Sequence, residues 1–501
     1  MRRFVLLLLL LIFTACGALK TPVPYPAEEF RGVWIATVAN IDWPGHPADS
    51  WKKKQQDFLD ILNYYKKLRF NAVLVQVRTA GDAFYPSKLA PWSRYLTGKE
   101  GDMGDLNTDP LAWMITETHK RGMEFHAWLN PYRATFDLQT DLLAPDHDFL
   151  QHPEWMIPYG EKYYYNPGLP EVQQHLVAVV SEVVAKYDID GIHFDDYFYP
   201  YRIQGELFDD STTYTAYGKP DQTREDWRRS NISSLIQQTH ETIKALKPWV
   251  QFGISPFGVW RNASTDPSGS DTRAGQTNYD HLFADPLEWS RQGWVDYLAP
   301  QLYWSLDYAP ASHRKLLSWW ATTVPQTRLY IGNGAYKIRN NRDKAWDNKK
   351  EIPEQLILGR KTKSIQGNIF FSAGSLMKTN RDVARFIRKN IYAYPAFPPS
   401  IPAPEKTQPR RPKIKMRETR DYLYFDLLDE SLRFQFAEIS GFRQKEQARK
   451  KINQNRGKRI YLGELSKFRV PVKSLQGKKY LEIVFIDRYR QKTKPLKLQR
   501  N

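Results

Sequence analysis

The stretch Asp188-Ile189-Asp190-Gly191-Ile192-His193-Phe194-Asp195-Asp196-Tyr197-Phe198-Tyr199-Pro200 sets the reading of the whole chain. Through Phe194 it has the character of a short strand buried on both faces, reached from a helix through Asp190-Gly191. Beyond Phe194 two adjacent carboxylates stand among aromatic rings and a proline. Apolar runs that end in acids are what parallel barrel strands look like where they open onto an active site. Side chains alternate along a strand. The pattern therefore expects Asp195 to face the barrel mouth and Asp196 to turn away, bracing a loop or orienting its neighbour. A lone acid at this point would more simply cap the following turn. Two acids wrapped in rings, with similar strand ends elsewhere, point to chemistry.

The same strand–helix unit recurs on both sides. Upstream, strands are predicted over Phe30–Val38, Asn71–Arg78 and Met123–Leu129, with helices over Trp51–Leu68, Pro110–Arg121 and Pro170–Lys186. Downstream, strands over Val250–Ser255, Val295–Ala299, Arg328–Ile331 and Gly367–Phe371 alternate with helices over Asp226–Lys247, His281–Gln292, Ser312–Thr323, Glu351–Lys363 and Arg381–Tyr392. Eight strand–helix units are what a (β/α)₈ TIM barrel, an α/β fold, requires. A doubly wound open sheet is the alternative, but no Gly-rich phosphate loop follows the first strand.

The flanking segments are of other kinds. Met1-Arg2-Arg3 followed by the apolar run Phe4–Phe13 reads as a signal peptide over residues 1–15, too short to span a bilayer. Cys16, the only cysteine, follows Thr14-Ala15 as in a bacterial lipobox, so it is the expected lipidation site, with residues 16–27 as a tether. This predicts an exported lipoprotein held to a membrane of the cell envelope, the outer membrane in a diderm host. One cysteine excludes any intrachain disulfide, leaving the core alone to stabilise an exported domain. After the barrel, residues 28–393, a Pro-rich linker is predicted over 394–412. Short alternating strands over 413–501 then suggest a small β-sandwich. The net charge of +18 is concentrated there, with 27 Lys and Arg against 11 Asp and Glu from Ile401 onward. That tail suits an anionic surface. The near-neutral barrel excludes nucleic acid as its partner.

The C-terminal ends of barrel strands share one face, so they are read together. They supply Trp34, Arg78, Asp82, Trp128, Asn130, Tyr132, Arg133, Tyr197, Tyr199, Ser255, Phe257, Gln301, Tyr303, Trp304, Asn333 and Tyr336 beside the two acids. Flat rings for the apolar faces of sugars, together with amides, guanidiniums and acids for their hydroxyls, make a carbohydrate site by composition. Half or so of these rings would serve simply to fill the upper barrel. His126, His193 and His240 lack metal-ligand spacing, no Gly-x-Ser-x-Gly elbow occurs, and no metal or cofactor is expected.

Four segments together resemble the glycosyl-hydrolase-like 10 family of bacterial exported lipoproteins. They are Phe30–Thr37, Val75–Ser87, Trp128–Arg133 and Asp190–Pro200, within a match covering roughly Glu28–Tyr392. Thr79 stands where that family's second motif has Pro. The resemblance implies a TIM barrel followed by a fibronectin type III-like module. It also implies glycoside hydrolysis, in one branch of peptidoglycan glycan strands stripped of stem peptides. Glycosidases ordinarily flank the scissile bond with two carboxyls. Asp195 is the principal catalytic candidate, and Asp196, Asp82 and Asp307 are candidates for the second. A glycan-binding scaffold without a working acid pair is the alternative from another class.

Overall fold

The computed structural model describes residues 25–402, 409–429, 434–444, 457–463 and 465–500. The predicted signal peptide and the lipobox cysteine therefore lie outside the described residues.

Eight parallel strands close into a barrel: β1 (Phe30–Ile35), β2 (Ala72–Arg78), β3 (Glu124–Leu129), β4 (Gly191–Phe194), β5 (Gln251–Ile254), β6 (Tyr297–Leu298), β7 (Arg328–Gly334) and β8 (Ile365–Phe371). Each pairs with its sequence neighbour, and β8 closes on β1. Crossover helices begin where the sequence supplies caps. Ser50 accepts from Lys53 N at the start of Trp51–Lys67, and Asp109 accepts from Ala112 N with Pro110 in the first turn of Pro110–Lys120. The helix expected over His281–Gln292 is divided, because Asp285 caps a new start at Pro286 and the residues before it form a separate turn.

Inward residues of alternating size fill the barrel. Phe30, Trp34, Ala72, Leu74, Trp128, Tyr297, Tyr330 and Ile369 form one interior cluster. The glycine of Asp190-Gly191 is explained here, since a Cβ on Gly191 would lie 2.5 Å from His126 Nδ1. A larger apolar shell lies between the outer strand faces and the helices.

The C-terminal region forms two antiparallel sheets. One is made of β9 (Ile414–Glu418), β10 (Tyr422–Leu427) and β13 (Lys467–Pro471). The other holds β12 (Lys458–Tyr461), β11 (Phe436–Phe442), β14 (Tyr480–Ile486) and β15 (Leu496–Gln499) in that order. Leu423, Phe425, Phe468 and Val470 of the first sheet meet Ile439, Leu481, Ile483 and Phe485 of the second in a shared core, as in a β-sandwich.

The sandwich seats against the N-terminal end of the barrel, opposite the mouth. Asp190, just before β4, accepts from Gln435 Nε2 at 2.5 Å and Phe125 N at 2.8 Å, and lies 2.8 Å from His119 Nε2. Against the effect of burial, His119, the Phe125 N–H and the charge of Arg490 hold its carboxyl down at about 2. Asp188 accepts from Tyr461 and Arg488, and Arg490 reaches Glu124 inside the barrel floor. Residues 394–402, read from their prolines as the start of a linker, lie against this junction. Glu29 N donates to Phe397 O at 2.8 Å, the Phe397 ring packs with Phe436 and Ile486, and Ile401 N donates to Tyr489 O at 3.0 Å. Proline favours an extended chain but does not decide whether that chain is solvated or laid on a neighbour.

Candidate active site

Asp195 continues the inward register of Gly191 and His193 at the end of β4 and is 4% exposed. It is held by a chain of amides that begins on the far side of the barrel. Thr37 N and Val38 N, after β1, donate to Gln76 Oε1 at 3.0 and 2.9 Å. That fixes which end of the Gln76 amide donates, and Nε2 gives its hydrogen to Asn130 Oδ1 at 2.5 Å. Asn130 Nδ2 in turn donates to Asp195 Oδ2, while Tyr197 N donates to Asp195 Oδ1 at 3.2 Å. Asn130, grouped from sequence with the sugar-binding residues, is thus directed at the acid. Gln76 escaped the sequence reading. Its only signal is an amide at an inward position of the otherwise apolar run Val73–Val77.

Asp196 does not turn away. Regular strand geometry stops at Phe194 and the chain bends at Asp196, so alternation no longer governs its direction. Asp196 is 2% exposed and accepts from the Tyr201 hydroxyl and the Gln301 side chain. Gln301 is itself positioned by donating to Ser255 O at 2.9 Å. Tyr201, 37% exposed, was likewise missed, because it lies in an irregular segment after Pro200.

Burial, and then the charge of Asp196, push the Asp195 carboxyl up to about 7. Burial pushes Asp196 up to about 6, against the hydrogen bonds from Tyr201 and Gln301. The Arg133 guanidinium favours the ionised form of both and lies 4.8 Å over the Tyr197 ring. Two neighbouring carboxyls that resist ionising together are equipped to hold one proton between them near neutrality.

Beneath the acids, His193 Nε2 receives the Trp34 indole N–H at 3.1 Å and lies 3.0 Å from Ser255 Oγ. Its Nδ1 lies 3.0 Å from Tyr297 Oη. Burial keeps this imidazole well below its usual range, hence neutral. Trp34 is therefore floor and not a stacking wall. Around the acids, Tyr197 and Tyr201 lie 5.4 Å apart, Tyr201 meets Phe257, Phe257 meets Trp304, and Tyr303 meets Tyr336 and Phe371. Among the described residues, the buried indole N–H of Trp128, inward on β3, and the buried Nε of Arg133 have no hydrogen-bond partner.

The mouth therefore gathers Asp195, Asp196, Asn130, Arg133, Tyr197, Gln301, Tyr303, Trp304 and Trp128. Other candidates belong elsewhere. Asp307 is on the surface, its side chain 76% exposed and paired with Arg314. Asp82 closes the turn after β2, accepting from Thr79 N at 2.7 Å and Ala80 N at 2.9 Å. Arg78 is buried against Tyr165 and Asp148, and Tyr132 sits in the outer apolar shell. Tyr199 packs between Phe208 and Phe283 with Arg228 over its ring. Asn333 points outward and donates to Gln355 at 2.9 Å. In each case burial or a nearby partner took the residue. Position at a strand end did not decide it.

The family model described as glycosyl hydrolase-like 10 matches residues 29–348. Glycosyl hydrolase YngK of Bacillus subtilis is 45% identical over 414 residues, covering 81% of this chain and 81% of that protein. Glycosyl hydrolase DigH of Escherichia coli is 40% identical over 375 residues, covering 70% of this chain and 84% of the relative. Among solved structures, the PgaB (BpsB) glycoside hydrolase domain from Bordetella bronchiseptica aligns with a TM-score of 0.48 at 13% identity, over 72% of this chain and 98% of that domain.

Proposed function

The chain belongs to the glycosyl hydrolase-like 10 family and is a glycoside hydrolase, and we propose that its substrate is peptidoglycan glycan of the cell envelope, in strands freed of stem peptides. The observation that supports this most is the buried pair Asp195 and Asp196 inside a ring of tyrosine, phenylalanine and tryptophan faces. Rings stack on the apolar faces of successive sugars. Arg133 and the free Trp128 N–H are donors for hydroxyl and acetamido oxygens. Asp195 and Asp196 are the reacting carboxyls. The purified protein should release sugar fragments from peptide-free glycan strands, read by mass spectrometry. Binding without release, across envelope glycans, would instead favour a glycan-holding scaffold.

The location belongs to the same proposal. Lipid on Cys16 would anchor the barrel to a membrane of the envelope, the outer membrane in a diderm host. Cys16→Ser is then expected to move the protein into the soluble envelope fraction with the activity of the purified enzyme unchanged. Identical fractionation of variant and wild type would end the lipoprotein reading.

The sandwich is proposed as a fibronectin type III-like module, supported by its three-plus-four strand order. Arg459, Arg488, Arg490 and Lys492 face the barrel or the segment beside it. Lys413 and Lys415, by contrast, are exposed on edge strand β9 or beside it. These outward charges are the candidates for attraction to an anionic surface. Lys413→Glu/Lys415→Glu in the full chain should weaken retention on sacculi and on vesicles containing anionic lipid at low salt, with the difference vanishing at high salt. Equal elution of both proteins at every salt concentration would remove this role.

A further inference from the structure

We propose that the nucleophile is supplied by the substrate, so that cleavage requires a 2-acetamido group on the sugar whose glycosidic bond is broken. This rests on the assignment of Asp195 and Asp196 as the reacting carboxyls, and it narrows the substrate class of that site.

A carboxyl pair that works by direct displacement stands on either side of the scissile bond. Here the two acids at the mouth are consecutive residues at one strand end, so they approach a sugar from one edge. Acids that could face them are engaged. Asp82 closes a turn and Asp307 is in a surface ion pair. Asp42, between the ends of β1 and β8, accepts from Ala36 N at 2.9 Å, Ser372 Oγ at 2.8 Å and Gly374 N at 2.7 Å, which occupies both of its oxygens. Asp82 and Asp42 are thus each tied into a local turn or strand-end junction, and Asp307 lies on the surface, whereas Asp195 and Asp196 stand together at the mouth.

The two acids are also held differently. Asp195 receives N–H donors on both oxygens, and the Asn130 donor is fixed in direction through Gln76 and the backbone after β1. The Asn130 amide therefore meets a fixed oxygen of Asp195, and each carboxyl oxygen has a further lone pair to offer an amide N–H. Asp196 is met by the Gln301 side chain and by the hydroxyl of Tyr201, which accepts as readily as it donates. Asp196 can therefore carry the proton and keep that partner. Such a division suits an acetamido sugar, with Asp195 receiving its N–H and Asp196 giving its proton to the leaving oxygen.

The steps balance. The acetamide carbonyl oxygen bonds to C1 as the bond from C1 to the leaving oxygen breaks, and the Asp196 proton passes to that oxygen. The cyclised, positively charged acetamide is paired with ionised Asp195. Water then bonds to C1 from the vacated face and gives a proton to Asp196. The bond from C1 to the acetamide oxygen breaks, which restores the amide. Two inversions leave the anomeric configuration retained.

The full chain should be assayed on three probes: peptide-free peptidoglycan strands, the same strands carrying N-trifluoroacetyl in place of N-acetyl, and the thiazoline derived from N-acetylglucosamine. Expected are a retained anomer by NMR and a steep loss of rate on the fluorinated strands, whose carbonyl oxygen is a poorer nucleophile. Competitive inhibition by the thiazoline is expected too. Asp195→Asn should lose thiazoline affinity along with kcat, with KM for the strands little changed. An inverted anomer, an undiminished rate on fluorinated strands, or a sugar trapped covalently on Asp195 would overturn the proposal while leaving the hydrolase assignment standing. Absence of cleavage of any acetamido glycan would overturn both.

Discussion

Asp195→Asn is expected to give a folded, glycan-binding protein that hydrolyses peptide-free strands on the order of 10²–10⁴-fold more slowly than wild type. The substitution keeps the size of the side chain at a buried position and removes the charge that the amide chain through Asn130 and Gln76 presents to the substrate. The same variant should be at least as resistant to heat as wild type at pH 7. Burial and Asp196 raise the Asp195 carboxyl from its ordinary 3.8 to about 7, so ionising it disfavours the folded state. The sign follows directly. A carboxyl with a raised folded-state pKa destabilises the fold above its unfolded pKa, and the burden lifts as pH falls from about 7 toward 4. The gain in Tm for Asp195→Asn should accordingly be largest near neutral pH and shrink in mild acid. Activity has the opposite requirement. One carboxyl of the pair must hold a proton, so the rate should fall as pH rises through the upper apparent value of the pair. Asp196→Asn separates the roles, because an aryl glycoside with a good leaving group should still turn over in that variant. Wild-type hydrolysis of strands by Asp195→Asn would remove the residue from the mechanism.

Arg490→Met is expected to lower stability by about 3–5 kcal/mol, the usual effect of leaving one member of a buried ion pair alone. Arg490 occupies the turn between β14 and β15 with a left-handed φ of 60° and is itself buried. It donates to Glu124 at the inward start of β3, next to His126 at 3.2 Å, and to Pro399 O at 3.3 Å. Without the guanidinium, Glu124 stays in the barrel floor without its arginine ion-pair partner. The barrel and the sandwich should then lose their shared unfolding transition in calorimetry. Adding Glu124→Gln to Arg490→Met removes the stranded charge and should recover most of the loss. If Arg490→Met unfolds like wild type, the sandwich is not joined to the barrel through this pair. If the double variant is no better than the single, charge burial is not the cause.

Strand and helix periodicity, with the acids and rings at strand ends, was sufficient to specify a (β/α)₈ barrel and its C-terminal mouth, with Asp195 as the principal acid there and Asp196, Asp82 and Asp307 as candidates for a second. Those features are local. An inward register, a cap or an apolar run is encoded within a few consecutive residues. Tertiary structure decided which strand-end residues reach the mouth. Asn333 and Tyr199 occupy strand-end segments as Asp195 does, yet Gln355 and Arg228 from distant helices draw them outward. Asp196 escapes alternation because its strand stops one residue too soon for the pattern to hold. The support of Asp195 runs through Gln76 and the backbone of Thr37 and Val38, and the docking of the sandwich runs through Arg490 and Asp190. Each of these contacts joins residues far apart in the chain. Periodicity fixes the face a side chain lies on, but its hydrogen-bond partner is fixed only when closure of the barrel brings separate strands within about 3 Å.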